Sequence, residues 1–378
     1  MPILPLHHHI IFVSDQAVPT ILGASLPGAV PAHIHAVVTP AMREAGTLLE
    51  EALRLRGSIR CTQYPLEDNL SQDAMYSVLD AIRNSIGEET FGVNLTGGTK
   101  LMALAAAEWA YAYDVPAFYI DTVKGQFIQI GRTWHYAPLP DVLSIRDLLS
   151  ANAFSIESAD TSPVPKERRE LLIKLLECTC THDGEKALGR LNWLAEQAQG
   201  NLRVYDDCPM EPAWEKVMTL CSCAGTLQRR DNELLFPNEN ARRWCNGVWL
   251  EEYVKATLYH LHACKKIKDW ASSVRVRHKG ILNELDALFS VHNRLFIIEC
   301  KTTCMVKKPM QPDNATLYKA DSLHDRLGGV FAKAMLCSVR PLADKDKERA
   351  KKQLQVHIVS GNDLLRLADI LTLWSQTP

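Results

Sequence analysis

Residues 284–302 read ELDALFSVHNRLFIIECKT. Leu295, Phe296, Ile297 and Ile298 form an unbroken apolar run, the pattern of a strand buried on both faces. The run ends in Glu299, Cys300 and Lys301. Residues i and i+2 of a strand share a face, so Glu299 and Lys301 point one way and Cys300 and Thr302 the other. Upstream, Asp286 stands between Leu285 and Ala287, and the polar turn SVHNR joins the two segments. Asp286 and Glu299 are therefore expected on neighbouring strands. Two carboxylates in one buried place repel each other unless a positive charge lies between them. An oxygen-bound divalent ion, magnesium or manganese, meets that need. Lys301 adds an amine that can orient or activate a water, or steady a pentavalent phosphate. A buried ion pair with Lys301 would account for one carboxylate, at a desolvation cost, but not for two.

The preceding segment, GVWLEEYVKATLYHLHA, reads as an amphipathic helix with Leu250, Val254, Leu258 and Leu261 on its apolar stripe. Glu251 borders that stripe and is expected to face the carboxylates. Glu252 projects to the other side and is expected to be solvated. Further strands follow in GVFAKAMLCS and LQVHIVSG, with helices expected over ATLYKADSLHDRLGG and a charged segment near KDKERAKK. Lys319, in the first of these helices, is read as a surface lysine with phosphate contact as the alternative. Residues 241–378 thus form a mixed α/β domain.

The amino-terminal part alternates strand and helix signals: HHHIIFVSD, HIHAVVTP, a helix closed by Gly57, SIRCTQYPL, and a helix from Ser71 to about Gly87. TFGVNLTGG, the helix TKLMALAAAEWAYAYD and the strand PAFYIDTV complete the series, with a terminal hairpin in GQFIQIGRTWHY. Repeated β-α units predict a Rossmann-like, doubly wound parallel sheet over residues 1–145. Ligands bind such sheets at the carboxyl ends of the strands. NLTGGTK falls at one such end: Gly97 and Gly98 let backbone amides approach an anion, the helix N-terminus favours negative charge, and Thr96, Thr99 and Lys100 offer hydroxyls and an amine. Its spacing is not that of a Walker A loop. Ser14, Asp15 and Gln16 end the first strand, and if the first and fourth strands are neighbours the two loops line one crevice. A capped turn explains either loop taken alone.

Residues 146–240 begin with a polar, proline-bearing stretch, SIESADTSPVPKERRE, taken as a linker. Three helices and a hairpin around Asp231-Asn232 follow, a winged-helix-like order. Such a module binds DNA in some proteins; the helices here show no basic face, which favours a spacer or a dimer contact.

The 378 residues suit two or three domains, with 47% hydrophobic and 23% charged residues and a formal net charge of −2. Nothing global marks a polyanion binder. No apolar run is long enough to span a membrane, and the amino terminus does not read as a signal peptide. Eleven cysteines without an export signal point to free thiols in a cytoplasmic protein rather than to disulfides or a zinc site. The run His7-His8-His9 is not read as a metal site, because adjacent strand residues point to opposite faces.

The ordered set WLEEYV, NELDALF, FIIECKT and LYKADSLHDRLGG resembles the PD-(D/E)xK nuclease superfamily, with Leu285 where many members have a proline. The resemblance implies a restriction-endonuclease-like fold and metal-dependent phosphodiester hydrolysis. Asp286 and Glu299 would bind metal, Lys301 would assist the water, and Glu251 would be auxiliary. With the amino-terminal part, the chain resembles CARF (CRISPR-associated Rossmann-fold) proteins fused to such a nuclease, effectors of type III CRISPR immunity. That resemblance implies a homodimer activated by a cyclic oligoadenylate, cyclic tetra-adenylate above all. Ser14, Gln16, Thr96, Gly97, Gly98, Thr99 and Lys100 would bind it. The implied substrates are single-stranded DNA or RNA, with nicking of duplex DNA. Two alternatives remain at this point: a ligand-sensing transcription regulator using the middle segment, and a nuclease whose first domain is only structural.

Overall fold

The computed structural model describes residues 6–57, 59–68, 70–207, 209–302, 306–308, 311–312, 332–342, 347–348, 350, 352 and 356–376. Lys319, the helix expected around it and half of KDKERAKK lie outside these residues.

The first sheet contains β1 (His8–Phe12), β2 (His33–Val38), β3 (Arg60–Pro65), β4 (Phe91–Asn94), β5 (Ala117–Asp121), β6 (Gln126–Ile130) and β7 (His135–Pro138). Its order is β3-β2-β1-β4-β5-β6-β7. The first five strands run parallel, and β6 and β7 add an antiparallel edge. The central β1 is buried along its whole length, as a strand covered on both faces must be. α1 (Val18–Gly23), α2 (Arg43–Arg56), α3 (Gln72–Ile86) and α4 (Lys100–Ala112) connect the strands. The expected punctuation holds: Ser71 caps α3 by accepting the Ala74 N–H, and Gly87 closes it at φ 70°.

α5 (Ile145–Ser150) and β8 (Ser155–Asp160) come next. Residues 155–160 were expected in a linker. They form instead the edge strand of the carboxy-terminal sheet, antiparallel to β12 (Asp269–His278). Their polar composition suits an edge, where one row of backbone groups meets solvent. The Lys255 ammonium donates to Asp160 Oδ2 at 2.6 Å and ties this edge strand to the helix that carries Lys255.

The middle segment has α6 (Lys166–Thr179), α7 (His182–Gln197) and α8 (Pro212–Cys223). Its hairpin, β10 (Gln228–Arg230) and β11 (Glu233–Leu235), turns at Asp231 with φ 52°. It gains a third strand, β9 (Arg203–Tyr205), that sequence reading missed. The helices are not a detached module. Leu175, Leu191 and Trp214 share one core with Trp249, Phe296 and Met335 of the last third of the chain.

α9 (Glu239–Arg243) leads through a kink, Trp244–Val248, with non-helical backbone at Asn246 and Gly247, into α10 (Trp249–Ala263). β13 (Ile281–Val291), β14 (Arg294–Lys301), the short pair β15 (Val306–Lys308) and β16 (Gln311–Pro312), β17 (Ala332–Ser338), β18 (Val356–Ser360) and α11 (Leu367–Gln376) follow. The sheet order is β18-β17-β14-β13-β12-β8. β12, β13 and β14 form an antiparallel meander, and β17 and β18 continue in parallel from β14.

A second continuous core joins the two sheets. Ile11 and Leu22 of the first part belong to the same cluster as Val274, Leu285, Leu288 and Ile297. At the β13–β14 turn the Asn293 carboxamide oxygen accepts from Val142 N–H and Leu143 N–H at 2.9 and 3.0 Å. The nine cysteines among the described residues are free thiols. No helix among those residues is long and apolar enough to cross a membrane.

Candidate active site

The pairing of Ala287 with Ile298 carries one step further to bring Asp286 level with Glu299. The structure ties them more closely than that. The Cys300 N–H donates to Asp286 Oδ2 at 2.7 Å, so one Asp286 oxygen lies against the backbone next to Glu299. Glu299 is almost wholly enclosed, at 1% exposure, whereas Asp286 and Lys301 are half-buried.

Asp286 reaches this position through a break in strand alternation. Leu285 and Leu288 both lie in the core shared with the first sheet, while Ala287 and Phe289 lie in the core under the helices. Regular alternation would have grouped Leu285 with Ala287. Opposite, Ser273 of β12 has φ 47°, and the pairing passes from Ser272–Ala287 to Val274–Leu285 across it. A local kink of this kind re-aims a side chain.

α10 lays Glu251 over the strand ends. Its carboxyl is pushed up to about 8, first by burial and then by the negative charges of Asp286, Glu284 and Glu299, with Arg243 pulling the other way. Negative charge is therefore concentrated where the sequence placed it. Glu284 and Arg243, both exposed, border the group, and sequence reading singled out neither. The spacing of Glu284 two residues before Asp286 was the available signal. Glu252 departs from expectation. It is held by the Arg168 guanidinium at 3.0 Å and by the Trp244 indole N–H at 2.6 Å, so it fastens α6 to α10 rather than meeting solvent.

The donor set of Glu251, Asp286 and Glu299 is all oxygen, which fits magnesium or manganese and not a soft metal. Oxygens from all three do not come within 4.8 Å of one another. Enclosing a cation therefore requires side-chain rotation, favoured by the relief of the repulsion that raises Glu251.

The second cluster lies at the carboxyl ends of β1 and β4, which are neighbours as expected. A Cβ on Gly97 would stand 2.1 Å from the Phe12 carbonyl and 3.5 Å from Ser14 Oγ, so the NLTGGTK loop presses directly on the end of β1. Gly98 has φ 77°, and Thr99 caps α4 by accepting the Met102 N–H. Gln16, Gly98, Thr99 and Lys100 are exposed, and Ser14 is half-buried. Thr96 is different. Its hydroxyl donates to Asn94 Oδ1 at 2.6 Å and accepts the Ile120 N–H at 2.8 Å, which ties the loop to β5 and turns the hydroxyl inward. Buried Asn94 is the brace of this loop, a role sequence reading missed.

Comparison with known proteins follows the same division. Residues 8–148 match the family described as Card1 CARF domain. Residues 238–377 match the family described as Card1-like, endonuclease domain. The chain joins a Card1-type CARF domain to a Card1-like endonuclease domain. Protein VC1899 from Vibrio cholerae is 25% identical, with TM-score 0.84 and 98% of each chain covered. Can2 from Sulfobacillus thermosulfidooxidans, solved in complex with cyclic tetra-adenylate, is 25% identical with TM-score 0.80, covering 98% of this chain and 99% of that one. A type III CRISPR defence DNA nuclease activated by cyclic oligoadenylate shares the fold at 19% identity and TM-score 0.51, covering 90% of this chain and 48% of that one. No curated protein matches. The Ser14 and NLTGGTK loops thus belong to the CARF domain, and the acidic cluster with Lys301 belongs to the endonuclease domain.

Proposed function

We propose that this protein is a nuclease of type III CRISPR defence, activated by a cyclic oligoadenylate, with cyclic tetra-adenylate the first choice, and dependent on magnesium or manganese. Its substrates are single-stranded DNA, RNA or both, with nicking of duplex DNA. The observation that carries the reading is the gathering of Asp286, Glu284 and Glu299 about the buried Glu251, whose carboxyl is pushed up to about 8 first by burial and then by those charges. Asp286, Glu299 and Glu251 would hold the metal, whose chemistry is to polarise the phosphate and lower the pKa of a bound water. Lys301 follows Glu299 on the same strand face and supplies positive charge to the attacked phosphate.

The neighbour that binds cyclic tetra-adenylate supports the choice of activator. So does the crevice, where exposed Thr99 and Lys100 and the N-terminus of α4 suit an anionic backbone. A twofold-symmetric ring calls for two copies of one loop about one axis. α4 starts at that loop and leaves Leu101, Leu104 and Tyr111 exposed at 49%, 66% and 62%, an apolar face suited to a second copy.

The test is cleavage of labelled single-stranded DNA and RNA in manganese, with and without each cyclic oligoadenylate. Glu299→Ala and Lys301→Ala are each expected to lose at least on the order of a hundredfold in rate while keeping activator affinity. Equal cleavage with and without activator would overturn the switch, and cleavage retained by Glu299→Ala would overturn the site.

A further inference from the structure

At the amino ends of β1 and β2, remote from the ligand loops at their carboxyl ends, three histidines converge. His8 on β1 pairs with His33 on β2, and His35 follows two residues later on the same face. The sequence run His7-His8-His9 hid this, because only His8 of that run takes part. One ring nitrogen from each of His8, His33 and His35 lies within 4.8 Å of the other two, an arrangement unique to this trio among the described residues.

The outer nitrogens are all engaged. His8 Nε2 meets Glu89 Oε2 at 3.0 Å, His33 Nε2 meets Thr62 Oγ1 at 2.8 Å, and His35 Nδ1 meets the Tyr64 hydroxyl at 3.1 Å. Between the rings, His8 Nδ1 and His35 Nε2 are 2.9 Å apart. Histidines that bind a metal use one nitrogen for the ion and donate the other ring N–H to an oxygen, often a carboxylate. Glu89, Thr62 and Tyr64 are three such oxygens, two of them on β3 and one just before β4.

We propose that His8, His33 and His35 form a site for a borderline transition-metal ion, zinc first among them, independent of the carboxylate cluster. Three imidazoles suit zinc and exclude magnesium or calcium. Half-buried His33 leaves room for a solvent molecule as a fourth ligand. The proton balance closes. With the ion in place His35 donates its Nδ1 proton to Tyr64, and the Tyr64 hydroxyl donates to Ser85 Oγ 3.2 Å away. Ser85 still donates its own proton to the Ile82 carbonyl at 2.7 Å. Without the ion, Tyr64 donates to His35 Nδ1 and His35 donates to His8 Nδ1. Burial and neighbouring charge hold His35 down to about 4, which keeps the ring in the neutral, ligating form at pH 7. Arg60 works against a cation here, and Glu89 offsets it. The site would clamp β1 to β2, and the far end of β1 leads into the Ser14 loop.

Cobalt titration of the full-length, chelator-treated protein tests this with a readout other than cleavage. The Glu299→Ala background removes a ligand of the carboxylate cluster. One equivalent of cobalt per chain is expected to bind, with visible bands of low-symmetry nitrogen coordination that one equivalent of zinc abolishes. His33→Gln, at the half-exposed position, is expected to weaken binding at least tenfold, whereas His7→Ala leaves it unchanged. If His35→Gln fails to fold, the His33 variant decides. Absence of the bands in folded protein, or equal cobalt affinity in His33→Gln, would overturn the site and leave the trio a metal-free hydrogen-bonded stack; neither result bears on the nuclease reading.

Discussion

Glu251 sits where burial and three neighbouring carboxylates oppose its ionisation, and its carboxyl stays protonated up to about pH 8. The folded state therefore holds a proton that the unfolded chain releases near 4.5. Between those values the folded state binds more protons, so stability from this group falls as pH rises through the window. Glu251→Gln removes the penalty. In metal-free protein its melting temperature is expected to exceed that of the natural chain by an amount that grows from pH 5 to pH 8.5. Manganese at pH 8.5 is expected to reverse the order, since a cation favours the carboxylate. Thermal scans at the two pH values, with and without manganese, check both statements. At this scale the sequence was informative about chemistry. Asp286, Glu299, Lys301 and Glu251 stood out as charges at the edge of apolar runs. Glu284 and Arg243 did not, because exposed charges are common and only proximity gives them weight.

The elements place these residues through two local departures from regularity. One is the kink opposite Ser273 that turns Asp286 toward the Cys300 backbone. The other is the kinked turn before α10. Gly247 there has φ 127°, and a Cβ would stand 2.4 Å from Thr302 Oγ1, at the end of β14. The same Thr302 hydroxyl lies 3.3 Å from the Asn192 carboxamide nitrogen of α7. Gly247→Ala is expected to cost ~1–3 kcal/mol by strain, read by chemical denaturation, and to lower cleavage by displacing Glu251 relative to Lys301. On the other domain, the outward face of α4 is the element at issue. Leu104→Glu is expected to shift the protein from dimer to monomer in sedimentation and to weaken response to activator, with the monomer remaining folded. Helices and strands were legible from periodicity and caps. Neither the Ser273 kink nor the turn before α10 was, since each is imposed by a partner distant in the chain.

Across the whole molecule, the β12–β13 hairpin links the two sites. Its turn packs on the segment that follows α5, where His278 stacks on Phe154 with ring centroids 4.4 Å apart and meets the Ala153 carbonyl at 3.1 Å. Lys279 meets Glu44 of α2 at 3.3 Å. A cleft of about 300 Å³ is lined by His278 and Lys279 together with Ser14 and Asp15. β13 runs from that turn to Asp286, and if the Ser14 loop binds the proposed activator this strand is the expected route to the acidic cluster. The exposed Lys279–Glu44 pair is worth little by itself. His278→Ala is expected to reduce stimulation by cyclic tetra-adenylate several-fold while leaving activator affinity and unstimulated cleavage unchanged. Stimulation equal to that of the natural chain would show that the signal takes another route. The middle segment is part of the same body, because its helices share a core with the endonuclease domain; that placement argues against a free DNA-binding module.

The sequence by itself determined the alternating β-α order of the first domain, a loop at the end of each of two strands, and the succession of Glu251, Asp286, Glu299 and Lys301; that the two strands are neighbours came from their pairing. Each of the first three is written in short-range pattern: apolar period, caps, glycine at turns, and charge interrupting a buried run. Only the tertiary structure decided that residues 155–160 close the second sheet, that Glu252 is a fastener, that Asp286 leaves its expected face, and that His8 meets His33 and His35. These depend on pairing between segments far apart in the chain, and strand register carries no signature at fixed sequence spacing.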